Sequence, residues 1–162
     1  MSNKSVVVFP VKLAKKPTSY QSGVGKFGSR REGGKRIHAG SDIYAPVGTP
    51  VLAANSGIVR RLSPVFYKNV GAVEITHTTW VGRYCEISIV KGLKEGQQVN
   101  AGDVIGYVAR IEGIEASMLH FEMYDDQDRT EPLTDRTRKG YERRSDVLDP
   151  TSFLDSADLA KV

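Results

Sequence analysis

Cysteine and long apolar runs are scarce in this chain of 162 residues. Its single cysteine, Cys85, excludes an intrachain disulfide framework and a cysteine-rich zinc knuckle. No apolar run approaches the roughly 18–20 residues that a membrane helix needs, and the apolar stretch at residues 6–9 is too short for the core of a secretory signal. The content of 40% apolar and 26% charged residues excludes a wholly disordered chain. We expect a single domain over residues 1–162.

Positive charge is concentrated at the start of the chain. Residues 1–40 carry nine Lys and Arg against one acid, Glu32, which gives +8, whereas the other 122 residues carry fourteen basic and eighteen acidic groups, which gives −4. Such a basic arm could meet an anionic polymer such as a bacterial wall or nucleic acid, and a solvated loop explains the charge equally well. Because no nucleic-acid-binding motif accompanies it, we expect no nucleic-acid partner.

Short β-prone runs separated by turns dominate residues 43–124. Val, Ile and aromatic residues fill six candidate strands, at residues 50–54, 58–62, 72–77, 81–90, 104–109 and 118–124. No 3.6-residue apolar period is present there. We predict a mainly β fold, an antiparallel sheet or partly open β-barrel with long loops. Asp149 followed by Pro150 is typical of a helix start, so we also predict a short C-terminal helix running towards Leu159.

Two histidines and an aspartate have the residue types of a zinc site. His38 and Asp42 follow a glycine-rich segment, and His120 lies in a candidate strand whose alternation places Met118 and Glu122 on the same face. Imidazole nitrogens and a carboxylate oxygen are ordinary zinc ligands, and three such ligands with one open position form a catalytic site. On these residues alone, a histidine hydrogen-bond network without metal is the favoured interpretation.

Several motifs, in the same order, make the chain resemble the lysostaphin/LytM-type zinc metallopeptidases, a family whose members mostly cut peptide cross-links in bacterial cell walls. The family pattern His-x-Gly-x-Asp-Ile, followed by Ala-Pro-x-Gly-Thr-Pro-Val, is matched by residues 38–43 and 45–51. Later family blocks are matched by residues 53–59, 96–106, 120–122 and 149–154. The resemblance implies one zinc peptidase domain over residues 1–162, with His38, Asp42 and His120 as the zinc ligands.

Two departures from the family pattern concern catalysis. The family usually has Tyr-x-His where this chain has Tyr84-Cys85-Glu86, and His-x-His where it has Met118-Leu119-His120. Methionine cannot transfer a proton, whereas glutamate can accept one from an activated water. We therefore predict a zinc endopeptidase that hydrolyses peptidoglycan stem peptides or cross-bridges with Glu86 as general base. The alternative is a non-catalytic LytM-like zinc-binding module that binds cell wall or a partner protein.

Tyr84 and His77 are further catalytic candidates. Tyr84 could donate a hydrogen bond to the developing oxyanion, although a core position suits it equally well, and His77 could replace a lost histidine, although a hydrogen-bonding role on an edge strand is favoured. Strand alternation predicts that Cys85 faces away from Tyr84 and Glu86 as a buried, inert thiol. We expect Glu122 to orient the ligand on its own strand face.

The expected partners are bacterial peptidoglycan peptides. Such a substrate lies outside the cytoplasm, and no export signal is visible in the sequence. We therefore expect the protein to act in the periplasm or on the cell wall after delivery by a secretion machine or a phage partner, without a membrane span of its own.

Overall fold

The computed structural model describes residues 6–138 and 142–161, and β-strands account for most of its regular structure. The strands and the C-terminal helix are β1 (Arg30–Arg31), β2 (Arg36–Ile37), β3 (Ser41–Tyr44), β4 (Pro50–Leu52), β5 (Gly57–Tyr67), β6 (Val70–His77), β7 (Val81–Ile89), β8 (Gln98–Val99), β9 (Val104–Val108), β10 (Met118–Tyr124), β11 (Thr134–Asp135), β12 (Glu142–Arg143), β13 (Val147–Leu148) and α1 (Thr151–Ser156). The predicted mainly β fold is confirmed.

Nine of these strands form one antiparallel sheet, and β10 lies inside it. The main path runs β13–β10–β7–β6–β5–β8, while β3 pairs with β10, and β9 pairs with both β7 and β4. The path does not close on itself within the described residues, which confirms the partly open arrangement. Strand β10 pairs with β7 along one edge and with β3 and β13 along the other. Residues of these strands that lie directly opposite one another therefore form rows across the sheet.

The predicted strands agree with the structure, with differences at their ends. Residues 118–124 form β10 as predicted, whereas β5 extends to Tyr67, well beyond the predicted end at Leu62. Strand β3 was not predicted, because it has only four residues and three of them are buried without alternation. That short strand carries Asp42, so the omission concerns the part of the sheet nearest the site.

Helix α1 begins where the sequence predicts and ends earlier. The Asp149 side chain accepts a hydrogen bond from the Thr151 N–H at 2.9 Å, as the capping signal requires. The helix ends at Ser156 because Ala157 has an extended backbone. Leu154 is fully buried, so the helix docks on the sheet as expected. No helix within the described ranges is both long enough and apolar enough to cross a membrane.

The two faces of the sheet at β7 and β10 have different surroundings. On one face the Tyr84 and Phe121 rings lie 5.2 Å apart, and Trp80 packs against Phe153 of α1 at 4.9 Å. This face contacts the aromatic core. All seven residues of β10 are buried, so the opposite face, which carries His120, is also covered.

Candidate active site

The structure brings the three predicted zinc ligands together. In the sheet His120 lies directly opposite Asp42, and such antiparallel partners point to the same face. Asp42 Oδ1 lies 3.1 Å from His38 Nε2 and 2.9 Å from His120 Nδ1, and the two ring nitrogens are 3.2 Å apart. We call this group of His38, Asp42 and His120 the ligand cluster. All three residues are buried.

Each histidine ring of the ligand cluster is held from its outer side. His38 Nδ1 lies 2.9 Å from the Lys26 carbonyl oxygen, and His120 Nε2 lies 2.9 Å from Glu122 Oε1. These acceptors take the outer N–H of each ring, which directs the other nitrogen towards Asp42. In a tetrahedral zinc site with bonds of about 2.0–2.1 Å, the ligand atoms are about 3.3 Å from one another. The three inner donor atoms here are separated by nearly that distance. The donor set therefore fits a zinc ion.

Positive charge is favoured at the ligand cluster. Burial lowers the pKa of His120, but hydrogen bonds to Asp42 and Glu122 outweigh it and raise this pKa to about 10. Burial opposes ionisation of Asp42 too, yet its contacts with the two histidines hold its pKa well below the usual range. A proton and a metal ion compete for such a position, so metal binding must release a proton.

Glu86 occupies an irregular position in β7. Cys85 pairs with Ala72 and Ile87 pairs with Gly71, so Glu86 is the extra residue of a β-bulge. Its φ of 68° lies in the left-handed region, which costs a non-glycine residue roughly 1 kcal/mol or more. Such strain is typically kept where it serves a function.

The Glu86 carboxylate is suited to proton transfer. Its Oε2 is buried without a hydrogen-bond partner among the described residues. Burial raises the pKa of Glu86 to about 7, although His120 lowers it and Asp42 raises it further. These influences place the carboxylate within electrostatic range of the ligand cluster, which makes Glu86 a candidate general base.

The bulge also changes the expected orientation of Cys85. Cys85 lies opposite His120 in the sheet, so it shares the face of the ligand cluster and does not point away from Glu86. Cys85 does face away from Tyr84, which lies opposite Phe121, as predicted, but the prediction that it also faces away from Glu86 was wrong because the bulge interrupts the alternation of β7. Cys85 is buried as predicted, and burial raises the pKa of its thiol well above the usual value, which keeps it protonated and a poor nucleophile.

The structure does not bring Tyr84 and His77 to the ligand cluster. Tyr84 lies opposite Phe121 on the core face, and its hydroxyl is 3.0 Å from His77 Nε2 and accepts the Ala54 N–H at 3.0 Å. His77 Nδ1 donates to the Ser56 carbonyl at 3.0 Å, and burial lowers the pKa of His77 to about 4. Their predicted catalytic roles find no support in this placement, which is that of a buried hydrogen-bond network.

Arg83 is a site residue that the sequence did not indicate. It is fully buried beside Glu122, and its Nε and Nη2 donate to Glu122 Oε2 at 2.8 and 2.6 Å. Arg143 donates to the other carboxylate oxygen at 2.9 Å. Although burial opposes it, Arg83 and His120 hold the pKa of Glu122 well below its usual range. Glu122 thus presents a full negative charge to His120, the orienting role expected for it.

Comparison with known proteins identifies the family. The family model "Peptidase family M23" matches residues 36–132, which include the ligand cluster and Glu86. The chain belongs to peptidase family M23. This assignment agrees with the lysostaphin/LytM-type resemblance of its motifs.

The curated relatives that this chain matches are longer than it is. Over 122 residues it is 34% identical to an L-Ala–D-Glu endopeptidase of Bacillus subtilis (strain 168), a match that covers 70% of this chain and 36% of that one. Over 88 residues it is 33% identical to the peptidoglycan DD-endopeptidase ShyC of Vibrio cholerae serotype O1, a match that covers 54% of this chain and 20% of that one. The chain therefore spans about a third or less of the length of these relatives.

Solved structures share the fold. The catalytic domain of lysostaphin from Staphylococcus simulans superposes with a TM-score of 0.61 and 25% identity, covering 83% of this chain and 91% of that one. Helicobacter pylori Csd3 superposes with a TM-score of 0.58 and 25% identity, covering 93% and 40%. This M23 chain has a lysostaphin-like fold.

Proposed function

We propose that this M23 chain is a zinc-dependent endopeptidase that hydrolyses peptide bonds of bacterial peptidoglycan, in the stem peptide or the cross-bridge. Three inner donor atoms lie within 3.2 Å of one another, and Glu86, the residue after Cys85 opposite His120 in the sheet, has a buried carboxylate oxygen without a partner among the described residues. That juxtaposition of a metal-binding donor set and a proton acceptor carries the proposal. The activities for which both curated relatives are named, one an L-Ala–D-Glu endopeptidase and the other a peptidoglycan DD-endopeptidase, support the substrate class.

His38, Asp42 and His120 would hold the zinc. Zinc in this position would supply Lewis acidity and lower the pKa of water to about 7. The Lys26 carbonyl and Glu122 keep the two rings oriented, so the donor atoms need little rearrangement. The three ligands and Glu86 all come from one sheet and the loop preceding it, which supports a single peptidase domain.

Glu86 would transfer the proton. As general base its carboxylate takes a proton from the attacking water and then donates it to the amine nitrogen of the departing peptide. A pKa of about 7 suits both steps, because the group accepts and releases a proton near neutral pH. Met118, buried two residues before His120 on the same strand face, adds an apolar surface that limits water.

A non-catalytic zinc-binding module is the second candidate function. Met118 stands where the family motif usually has a histidine, and its thioether has no proton to transfer. In that case the ligand cluster would bind zinc, and the domain would bind cell wall or a partner protein without hydrolysis.

Digestion of purified peptidoglycan distinguishes the two functions. The protein is incubated with sacculi after zinc loading, after chelation and after zinc is restored, and released peptides are identified by mass spectrometry. We expect new peptide ends with zinc, none after chelation and recovery when zinc returns. A fully zinc-loaded protein that binds sacculi and releases no peptide would establish the non-catalytic module instead.

A further inference from the structure

Arg31 lies next to the ligand cluster, on the hairpin formed by β1 and β2. Its Nη2 donates to Asp42 Oδ2 at 3.3 Å, which is the carboxylate oxygen that contacts neither histidine. The main chain fixes this hairpin to the site, because the His38 N–H donates to the Ser29 carbonyl and the Gly28 N–H donates to the His38 carbonyl, both at 2.8 Å. The position of Arg31 is therefore tied to that of a metal ligand.

The Arg31 guanidinium has donors to spare. Its side chain is 31% exposed, and within the described ranges its Nε and Nη1 make no hydrogen bond. Arginine presents its N–H groups as a rigid fork that matches a carboxylate with two parallel hydrogen bonds. One donor holds Asp42, and the remaining donors can bind a second carboxylate at the entrance to the site.

The acidic residues around the reaction centre would repel an anionic substrate, and a cation such as Arg31 would offset that repulsion. The carboxylates of Asp42, a member of the ligand cluster, and of Glu86, which follows Cys85 opposite His120, would repel an incoming carboxylate. Arg31 pairs with Asp42 and lowers the pKa of Glu86, so its positive charge offsets both carboxylates. Glu122, the third nearby acid, is already paired with Arg83 and Arg143.

Bond lengths limit where the substrate carboxylate can be. In a peptide cleaved between L-Ala and D-Glu, three bonds join the scissile carbonyl carbon to the carboxyl carbon on the D-Glu Cα, and together they span at most about 4 Å. Arg31 is one hydrogen bond from a ligand-cluster residue. A carboxylate on the residue directly after the scissile bond is therefore close enough to the ligand cluster for Arg31 to bind it.

We infer that Arg31 is a specificity residue that binds a free carboxylate on the amino acid following the cleaved bond, so that the enzyme prefers an acidic residue such as D-Glu there. This inference rests on the proposed endopeptidase function. It adds a property that the motifs do not carry, because residues 30–37 lie before the matched family blocks.

A matched pair of peptides tests the inference. One is L-Ala–D-Glu–L-Lys, joined through the D-Glu side-chain carboxyl so that its α-carboxylate is free, and the other has that carboxylate converted to the amide. We expect zinc-loaded wild-type protein to favour the acidic peptide in kcat/KM by roughly 10- to 100-fold, as for the loss of one charge-assisted hydrogen-bonded pair. Arg31→Gln should lose this preference by cleaving the acidic peptide more slowly, with little change for the amide.

Arg30→Gln is the control, because Arg30 precedes Arg31 in β1, is exposed and alternates to the other side of the hairpin. It should keep the wild-type preference, and zinc content is measured for every variant. An equal loss of kcat/KM on both peptides in Arg31→Gln would show that Arg31 acts only through Asp42 and would overturn the inference. Cleavage of other peptidoglycan bonds without preference for the acidic peptide would overturn it too, while leaving the proposed function intact. Failure to release any peptide from sacculi would contradict both the inference and the proposed endopeptidase function.

Discussion

Replacing Arg83 by methionine removes the main cation that faces Glu122 while roughly preserving side-chain volume. Arg83 makes two hydrogen bonds to Glu122 Oε2, at 2.8 and 2.6 Å, and a third to Thr134 Oγ1 at 2.7 Å, and all of these groups are buried. Breaking a buried ion pair by removing one partner typically costs about 3–5 kcal/mol, because a buried charge is left uncompensated. We expect Arg83→Met to lower the free energy of unfolding by about that amount, measured by urea denaturation of the zinc-free protein.

The same substitution should weaken zinc binding. With Arg83 gone, Glu122 loses the two hydrogen bonds that hold its carboxylate in place, 2.9 Å from His120 Nε2, and it orients this ring less firmly. Loss of such a supporting partner usually costs roughly 10–100-fold in metal affinity. Competition with a chelator measures the affinity of the folded fraction for zinc, so instability and weak binding are separated.

A double substitution provides the control. Arg83→Met combined with Glu122→Gln removes both charges, and the double variant should be more stable than the sum of the two single losses predicts. Zinc affinity in Arg83→Met equal to that of the wild type would refute the reasoning that Arg83 supports His120 through Glu122.

Three further predictions concern individual side chains. His120→Ala should abolish zinc retention on dialysis, measured as metal content per chain, and unchanged content would exclude this residue as a ligand. Because burial lowers the pKa of His77 to about 4 from roughly 6.5 when unfolded, the unfolded chain takes up this proton first as the pH falls. Stability should therefore decrease between about pH 6.5 and 4, by roughly 3 kcal/mol, and His77→Gln should lack this component in urea titrations. Tyr84→Phe should cost about 1–3 kcal/mol, since His77 Nε2 and the Ala54 N–H lose their partner, while hydrolysis per folded molecule stays unchanged.

The parts of the fold that could be predicted are those determined by local pattern. Alternation in residues 118–124 placed His120 and Glu122 on one face, and β10 has the predicted bounds. Asp149 and Pro150 marked the helix start because capping depends on neighbouring residues. Strand β3 escaped prediction because four residues carry too little pattern.

The grouping of His38, Asp42 and His120 was predictable because the chain resembles a known family, whereas their types and spacing alone favoured a hydrogen-bond network. The role of Arg83 depends on its contact with Glu122, a residue 39 positions away on another strand. The bulge at Glu86 depends on a register shift between β6 and β7, so strict alternation gave the wrong face for Cys85. The placement of Tyr84 and His77 depends in the same way on which strands pair.

The central claim is that zinc on the ligand cluster hydrolyses peptidoglycan peptides with Glu86 as the base. Its most direct test is the rate of peptide release from sacculi by wild-type protein and Glu86→Gln, compared at equal zinc content. Glu112→Gln is the control, because Glu112 is an exposed loop carboxylate beside Lys68 and Asn69. We predict that Glu86→Gln keeps its zinc and its fold and loses roughly 10²–10⁴-fold in rate, while Glu112→Gln is unchanged. A Glu86→Gln protein that cleaves at the wild-type rate would contradict the account.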